Sequence, residues 1–337
     1  MPWSNFVSTS DDLFRDVQAT FLETYQDVIG RNDKLGNAMA LGMPSNKRKE
    51  FYGYFESPPT IDRIDRGESI TEDSFKAISY SVENLTWGKA IGFHEDDLED
   101  IQLGDLRQVA RGLAKRAAVL PEQVFFQILQ GSSNASLLKA IPTAPDGASL
   151  YSATAGGTDR FGISGGNIVT GTGILTGSSI RDDFWNAVER AMQFQDTEGE
   201  PLLDDGIVDK GVTICFNAAN LEAYMEAFVQ TRTGQVLGTG VTSGFGAAAV
   251  TNTVLEGYNG GVTLWPTQRI TDNDAYLFFN DIGPKPVFEQ VRQPPRLIDE
   301  TRENSERARR YRIMATLLDM RAGYGVNVPY ATVKVNN

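Results

Sequence analysis

The sequence predicts an α+β fold, in which helices and strands fall in separate blocks rather than alternating as βαβ units. Three observations carry that expectation. Apolar residues recur at helical spacing in two long stretches, one near the N-terminus and one from Leu103 to Ile128. Between them the spacing switches to two, with Ile78, Tyr80 and Val82 alternating with Ser79 and Ser81. The last third is mostly short apolar runs of strand type: "GVTLWPT", "AYLFFND", "PVFEQV" and "YRIMATLLDMRAGYGVNV". A chain of 337 residues has room for roughly one to three domains.

Taken in order, Ser10 to Ile29 reads as an amphipathic helix. Leu13, Val17, Phe21, Tyr25 and Ile29 form a stripe that winds slowly around it, suited to packing on something distant rather than to a core of its own. "GRNDKLG" breaks the helix, and "GMPSNKRKE" is polar and turn-rich. Glu50 to Phe93 reads as strands. "ENLT" is expected to be a turn joining the strand of Ile78, Tyr80 and Val82 to one carrying Trp87, Lys89, Ile91 and Phe93 on the opposite parity. "ESPPTIDRIDRGESITEDS" is too charged to fill a core, and is expected as an exposed β-excursion.

The strongest periodic signal follows. Leu103, Leu106, Ala110, Leu113, Ala117, Leu120, Val124 and Ile128 step by three and four along one helix face. Pro121 removes a backbone donor and is expected to kink or divide that helix, and "GSSN" stops it at Gly131. The Gly-, Ser- and Thr-rich stretch "TAPDGASLYSATAGGTDRFGISGGNIVTGTGILTGSS" reads as a long, partly β, surface loop. "IRDDFWNAVERAMQFQD" is a helix that Ser179 can cap, with Phe184, Val188, Ala191 and Met192 facing inward. "GVTICFN" is a short buried strand, "AANLEAYMEAFVQT" a helix, and Gly234 to Ala248 a second Gly-rich loop.

Charge narrows the function classes. Lys plus Arg number 31 against 44 Asp plus Glu, a net charge of −13. That disfavours broad binding to a phosphate backbone, which needs many cations to displace condensed counterions. It suits a soluble scaffold. A single cysteine, Cys215, permits no intrachain disulfide framework. The start, "MPWSNFVSTSDDLF", lacks a basic then apolar leader, and no apolar run approaches membrane-spanning length.

Catalytic signals are weak. The acidic run from Glu95 to Asp100 places Asp96 and Asp100 one helical turn apart, but no further ligand converges on them, and His94 belongs to no H-E-x-x-H pattern. Carboxylates in a first helical turn are stabilised by the helix dipole and the unpaired N–H groups there. With one histidine, a nucleophilic triad would have to use His94, and no G-x-S-x-G elbow exists. "GTGILTG" and "GTGVTSG" have three residues where a dinucleotide fingerprint needs two. "RENSERARRYR" is the one basic cluster, and its interleaved Glu303 and Glu306 make ion pairs as good an account as nucleic acid. No metal, cofactor or catalytic residues are expected.

Three stretches carry a family resemblance: "IGFHEDDLEDIQLGDLRQVARGLAKRAAVLPEQVFFQIL", "FWNAVERAMQFQDTEGEPL" and "GVTICFNAANLEAY". In their order and spacing they resemble the HK97-type major capsid proteins of tailed bacteriophages, and within these the Mu-type major head protein family. The resemblance implies an N-terminal arm at 1–49, an E-loop at 50–92 and a P-domain with its spine helix at 93–131. An A-domain at 132–285 and return strands of the P- and A-domains at 286–337 complete it. It also implies a non-enzymatic subunit that assembles with itself into hexamers and pentamers of an icosahedral shell around double-stranded DNA, contacted non-specifically. Portal, scaffold and decoration proteins are the further partners, with no membrane. The place of assembly would be the host bacterial cytoplasm and the destination the virion capsid. Arg63, Asp65, Arg66 and Glu68 of the excursion, Gly240 and Gly244 of the second loop, and Arg302, Arg307 and Arg310 of the basic cluster are the expected inter-subunit contacts. Two rival readings are an encapsulin-like compartment of the same fold and a metal-dependent hydrolase using His94, Asp96 and Asp100.

Overall fold

The computed structural model describes residues 3–29, 33–55, 77–94, 103–132, 134, 137–203, 205–228, 232–234, 248–250, 258, 260–280, 282–300 and 305–337. Helix α1 (Trp3–Ile29) starts well before Ser10 and is followed by the short α2 (Asp33–Ala38) and strand β1 (Met39–Pro44). Strands β2 (Lys49–Phe55) and β3 (Ala77–Glu83) pair antiparallel as a two-stranded ribbon, and β4 (Leu85–His94) follows after Asn84 alone. Helix α3 (Leu103–Gln130) is the long one. Beyond it come the small ribbon β5 (Thr154–Ala155) and β6 (Thr158–Asp159), then β7 (Ile168–Thr170) and α4 (Gly177–Met192). Next are β8 (Val212–Asn217), α5 (Leu221–Phe228), and β9 (Arg232–Gly234) paired with β10 (Ala248–Val250). The chain ends with β11 (Val262–Thr267), β12 (Ala275–Phe279), β13 (Val287–Glu300), α6 (Glu306–Tyr311), β14 (Ile313–Val326) and β15 (Thr332–Asn336).

Two sheets organise these elements. One has the order β1-β13-β14-β4, the other β11-β8-β12-β15-β7. The second is buried on both faces, which is why "GVTICFN" reads as an unbroken apolar run. Ile214 and Phe216 point with Leu277 and Phe279 into a core under α4 and α5, while Cys215, Tyr276 and Phe278 point the other way. On that other side they meet the C-terminal half of α3. Phe125 stacks on Trp265 at 5.9 Å and lies 5.7 Å from Phe278, centroid to centroid. The same core takes in Met320, Ala322, Tyr324 and Val326 of β14, so α3 is wedged between both sheets.

Several expectations change. Helix α1 packs within its own chain: Phe21 is fully buried against Leu113, Ala114, Ala117 and Leu318, with Tyr25, Ile91 and Leu297 around them. A four-residue repeat drifts off a helix of 3.6 residues per turn, so Ile29, at the end of the stripe, is exposed. Pro121 does not divide α3, which continues to Gln130 with the proline buried. The cap of α4 is Thr176, whose hydroxyl accepts from the Ser179 amide, and Met192 in the last turn is exposed while Phe184, Val188 and Ala191 are buried. Strand β13 runs on past "PVFEQV" through Pro294 and Pro295, with register shifts on either side of Gln293. Among the described residues β1 pairs with β13 only as far as Val291, so the missing donors of those prolines break no ladder bond to β1.

The expected turn at "ENLT" is not one. Strands β3 and β4 do not pair with each other. Strand β3 belongs to the ribbon with β2, and β4 is zipped antiparallel to β14 from Leu85↔Ala322 to His94↔Ile313. The parity change marks a strand passing from one sheet to another through a single residue. The stretch from 143 to 179 is also more ordered than a surface loop. Arg160 is buried and donates to Asp146 Oδ2 at 2.7 Å and to the carbonyls of Ser149 and Leu150. Asn167, fully buried, donates to the carbonyls of Leu150, Pro329 and Thr332.

Candidate functional site

The feature that stands away from both cores is the ribbon β2–β3, and its root is unusually well specified. Gln290 on β13 is fully buried there. Its Nε2 donates to the Val82 carbonyl and to Asn84 Oδ1, both at 3.1 Å, and its Oε1 accepts from the Tyr52 hydroxyl at 2.7 Å. Asn84, also buried, donates to Ser45 Oγ and to the Lys47 carbonyl at 2.7 Å each. The Tyr80 hydroxyl accepts from the Val326 amide at 3.1 Å, and burial pushes its pKa up to about 12. At the start of β2, Glu50 accepts from the amides of Lys47 and Asn46 and from Ser45 Oγ. Those amides, Lys47 first, hold its carboxyl below the usual range. The inner face of the ribbon thus binds the body through tyrosine hydroxyls, while Phe51 on the outer face is 67% exposed.

The second candidate surface element is α1, which lies along α3. Besides Phe21 and Val17 it is held by Asp16 Oδ2 accepting from Arg107 Nε at 2.6 Å and by Gln18 Nε2 donating to Asp299 Oδ2 at 2.5 Å. Nearby, Glu289 is buried and accepts from the Tyr324 hydroxyl at 2.9 Å. Burial raises its pKa despite that bond and one from the Gly42 amide.

Of the residues expected at contacts between subunits, Arg307 and Arg310 lie on α6 and are exposed, with Arg310 Nε 3.3 Å from Glu306 one turn away. Arg63, Asp65, Arg66, Glu68, Gly240, Gly244 and Arg302 fall outside the described residues, as do Asp96 and Asp100. His94 ends β4 opposite Ile313. Among the described residues no group of three or more His, Cys, Asp or Glu could hold a metal ion. Nor is any helix there long and apolar enough to cross a membrane. Cys215 is fully buried, with its thiol pKa raised by burial and then by Glu122.

Sequence reasoning did not single out Gln290 or Asn84, nor Gly323 and Gly325 of β14, which lie directly beneath the ribbon. The signal available was "AGYGV", two glycines inside a strand, a pattern that marks close approach of another backbone.

Comparison with known proteins agrees with this layout. Residues 14–137 match the family model described as Mu-like prophage major head subunit gpT. The major capsid protein of Escherichia phage Mu is 29% identical over 94 residues, 28% of this chain and 30% of that protein's length. Among solved structures, the mature capsid of bacteriophage PhiM1 aligns with a TM-score of 0.54 at 10% identity, covering 89% of this chain and 85% of that one. The capsid of cyanophage P-SCSP1u aligns with a TM-score of 0.53 at 14% identity, covering 89% and 86%. The fold is therefore the α+β, HK97-like fold of phage capsid subunits.

Proposed function

We propose that this chain is a major head subunit of a tailed phage, self-assembling into hexamers and pentamers of an icosahedral shell around double-stranded DNA. One coincidence carries the reading. The segment that resembles the Mu-like head subunit in sequence, residues 14–137, is the segment that holds most of α1, the ribbon and α3, and the fold around it is that of phage capsid subunits. The function needs no reaction chemistry, and the site is a set of surfaces rather than a cleft.

In this reading α1 and β1 form the N-terminal arm, and the ribbon from Lys49 to Glu83 is the loop that overlies a neighbouring subunit. Helix α3 is the spine of the P-domain, the sheet β1-β13-β14-β4 is its floor, and the sheet β11-β8-β12-β15-β7 with α4 and α5 is the A-domain. The contacts assigned to Arg63, Asp65, Arg66 and Glu68, to Gly240 and Gly244, and to Arg302, Arg307 and Arg310 belong to the same proposal. Portal, scaffold and decoration proteins are its further partners, and the virion its destination. A net charge of −13 suits a wall that must surround packed DNA without gripping it. Many modest contacts per subunit, repeated by closed symmetry, would hold such a shell.

Negative-stain electron microscopy of the protein expressed alone, with light scattering on the same sample and in added crowding agent, tests this. Closed shells, or rings of five and six, are the expected result. A monomer under every condition, including co-expression with a scaffold, would reject it. Deleting Glu56 to Glu72 should leave a folded subunit that assembles poorly.

A further inference from the structure

The ribbon crosses the body on a saddle. A Cβ built on Gly323 would lie 2.9 Å from the Glu83 carbonyl oxygen and 2.6 Å from Gln290 Nε2. One built on Gly325 would lie 2.6 Å from the Phe288 ring and 2.8 Å from Val82 Cγ2. Neither glycine has a left-handed backbone, so what each supplies is room. Real Cβ atoms do not approach so closely, and at Gly323 part of the obstruction is main chain, which cannot swing aside as a side chain can. The paired glycines let β3 pass directly over β14.

On that saddle the clasp is made by one buried amide. Gln290 uses both Nε2 hydrogens, on Val82 and Asn84, and its Oε1 takes the Tyr52 hydroxyl, so a single side chain holds both ribbon strands. Tyr80 adds its bond from Val326. Asn84 is the single residue between β3 and β4, and these two strands share no ladder. A one-residue extended joint is soft, so its angle must come from what lies across it. Among the described residues, that includes Gln290, the two tyrosine hydroxyls, the ring and methyl contacts over Gly325, and the bonds of Asn84 itself to Ser45 Oγ and to the carbonyls of Lys47 and Arg48.

We propose that Gln290, Gly323 and Gly325 are positioning residues that fix the angle at which the β2–β3 ribbon leaves the body, and that this angle decides how the ribbon meets a second copy of this chain. The second clause rests on the head-subunit reading. The first is a property of the monomer. The chemistry agrees with that division: the bonds of the clasp run within the chain, and Gln290 and Asn84 are buried, so they act by aiming the ribbon rather than by touching a partner.

Pulsed electron resonance between spin labels at Ser79→Cys and Lys89→Cys, both exposed, reads the angle across Asn84, and buried Cys215 stays unlabelled in the native protein. The otherwise unaltered, doubly labelled chain should give one narrow distance. Gln290→Met, which keeps length but loses all three bonds, and Gly323→Ala should each give a broadened or displaced distribution. Particles assembled from the unlabelled variants should be heterogeneous in diameter. If Gln290→Met fails to fold by circular dichroism, Tyr52→Phe with Tyr80→Phe removes the hydroxyl bonds and leaves the rings in place. An unchanged distance distribution in the folded variants would overturn the saddle. A changed distribution with particles of parental size and uniformity would overturn its link to assembly. If the parent chain forms no particles under any condition, co-expression with a scaffold included, the head-subunit reading and the assembly clause fail together, while the spin-label distances still decide the saddle.

Discussion

Replacing Phe21 with alanine should free α1 from the body without unfolding the rest. Phe21 is 0% exposed and is the one large, fully buried side chain of α1 among the described residues. Its partners on α3 are Leu113, Ala114 and Ala117, small or fixed on a helix that is itself wedged between two sheets. Such a site cannot collapse around the missing ring, so the full cost applies, about 3–5 kcal/mol for Phe→Ala in a rigid core. The other ties are weaker: the Arg107–Asp16 side chains are 42% and 35% exposed, where water screens an ion pair. If α1 opens as a local unit, a loss of that size raises its opening equilibrium roughly a hundred- to several-thousand-fold, at tenfold per 1.4 kcal/mol.

Hydrogen exchange read by mass spectrometry on peptides covering residues 15–29 measures this opening directly. The expected result for Phe21→Ala is loss of most protection there, with peptides from β8 and β12 unchanged and the urea midpoint of the body little moved. Arg107→Ala should change protection only a few-fold. Should Phe21→Ala instead lower protection equally in α1 and in β8, α1 is part of the global cooperative unit, and its treatment as a separately docked arm is wrong.

Other outcomes follow from the buried polar groups. Glu289 has a folded pKa raised by burial above its ordinary value of about 4.5, so stability falls as pH rises through the interval between the two values. Glu289→Gln, which can still accept from Tyr324, should gain on the parent across that interval by about 1.4 kcal/mol per pKa unit of the shift. Parallel urea-stability profiles from pH 4 to 8 would refute this. Arg160→Met should cost about 3 kcal/mol in urea melts, the low end for removing one side of a buried pair. The low end applies because Asp146 keeps 29% exposure and the Leu150 carbonyl keeps its bond from Asn167. Cys215 should be alkylated by iodoacetamide at pH 8 only at the rate of unfolding, since its thiol is buried and held protonated. Alkylation faster than unfolding would contradict its place in the core.

What the sequence made legible is what depends on neighbours along the chain. Helix α3 shows through its apolar repeat because the face from Ala110 to Ile128 is buried, and β8 shows because both its faces are. The change of parity after Val82 is also real, but periodicity cannot tell a turn from a strand that changes sheets through one residue. Here Asn84 makes the change, and its partners Ser45 and Gln290 lie far away in sequence. The stretch before α4 reads as loop because Gly, Ser and Thr dominate it. Its order comes from Arg160 and Asn167, whose side chains reach carbonyls as distant as Pro329 and Thr332. The candidate site was legible in the same degree. The polar tip declared itself as unfit for a core, while the residues that aim it did not, since each is an ordinary glutamine, tyrosine or glycine until the strand it touches is known. On the proposed reading, a ribbon that meets another copy in register needs its direction set from the rigid body. The residues proposed to set it lie on β13 and β14, and Gln290 is more than two hundred positions from the ribbon residues it holds.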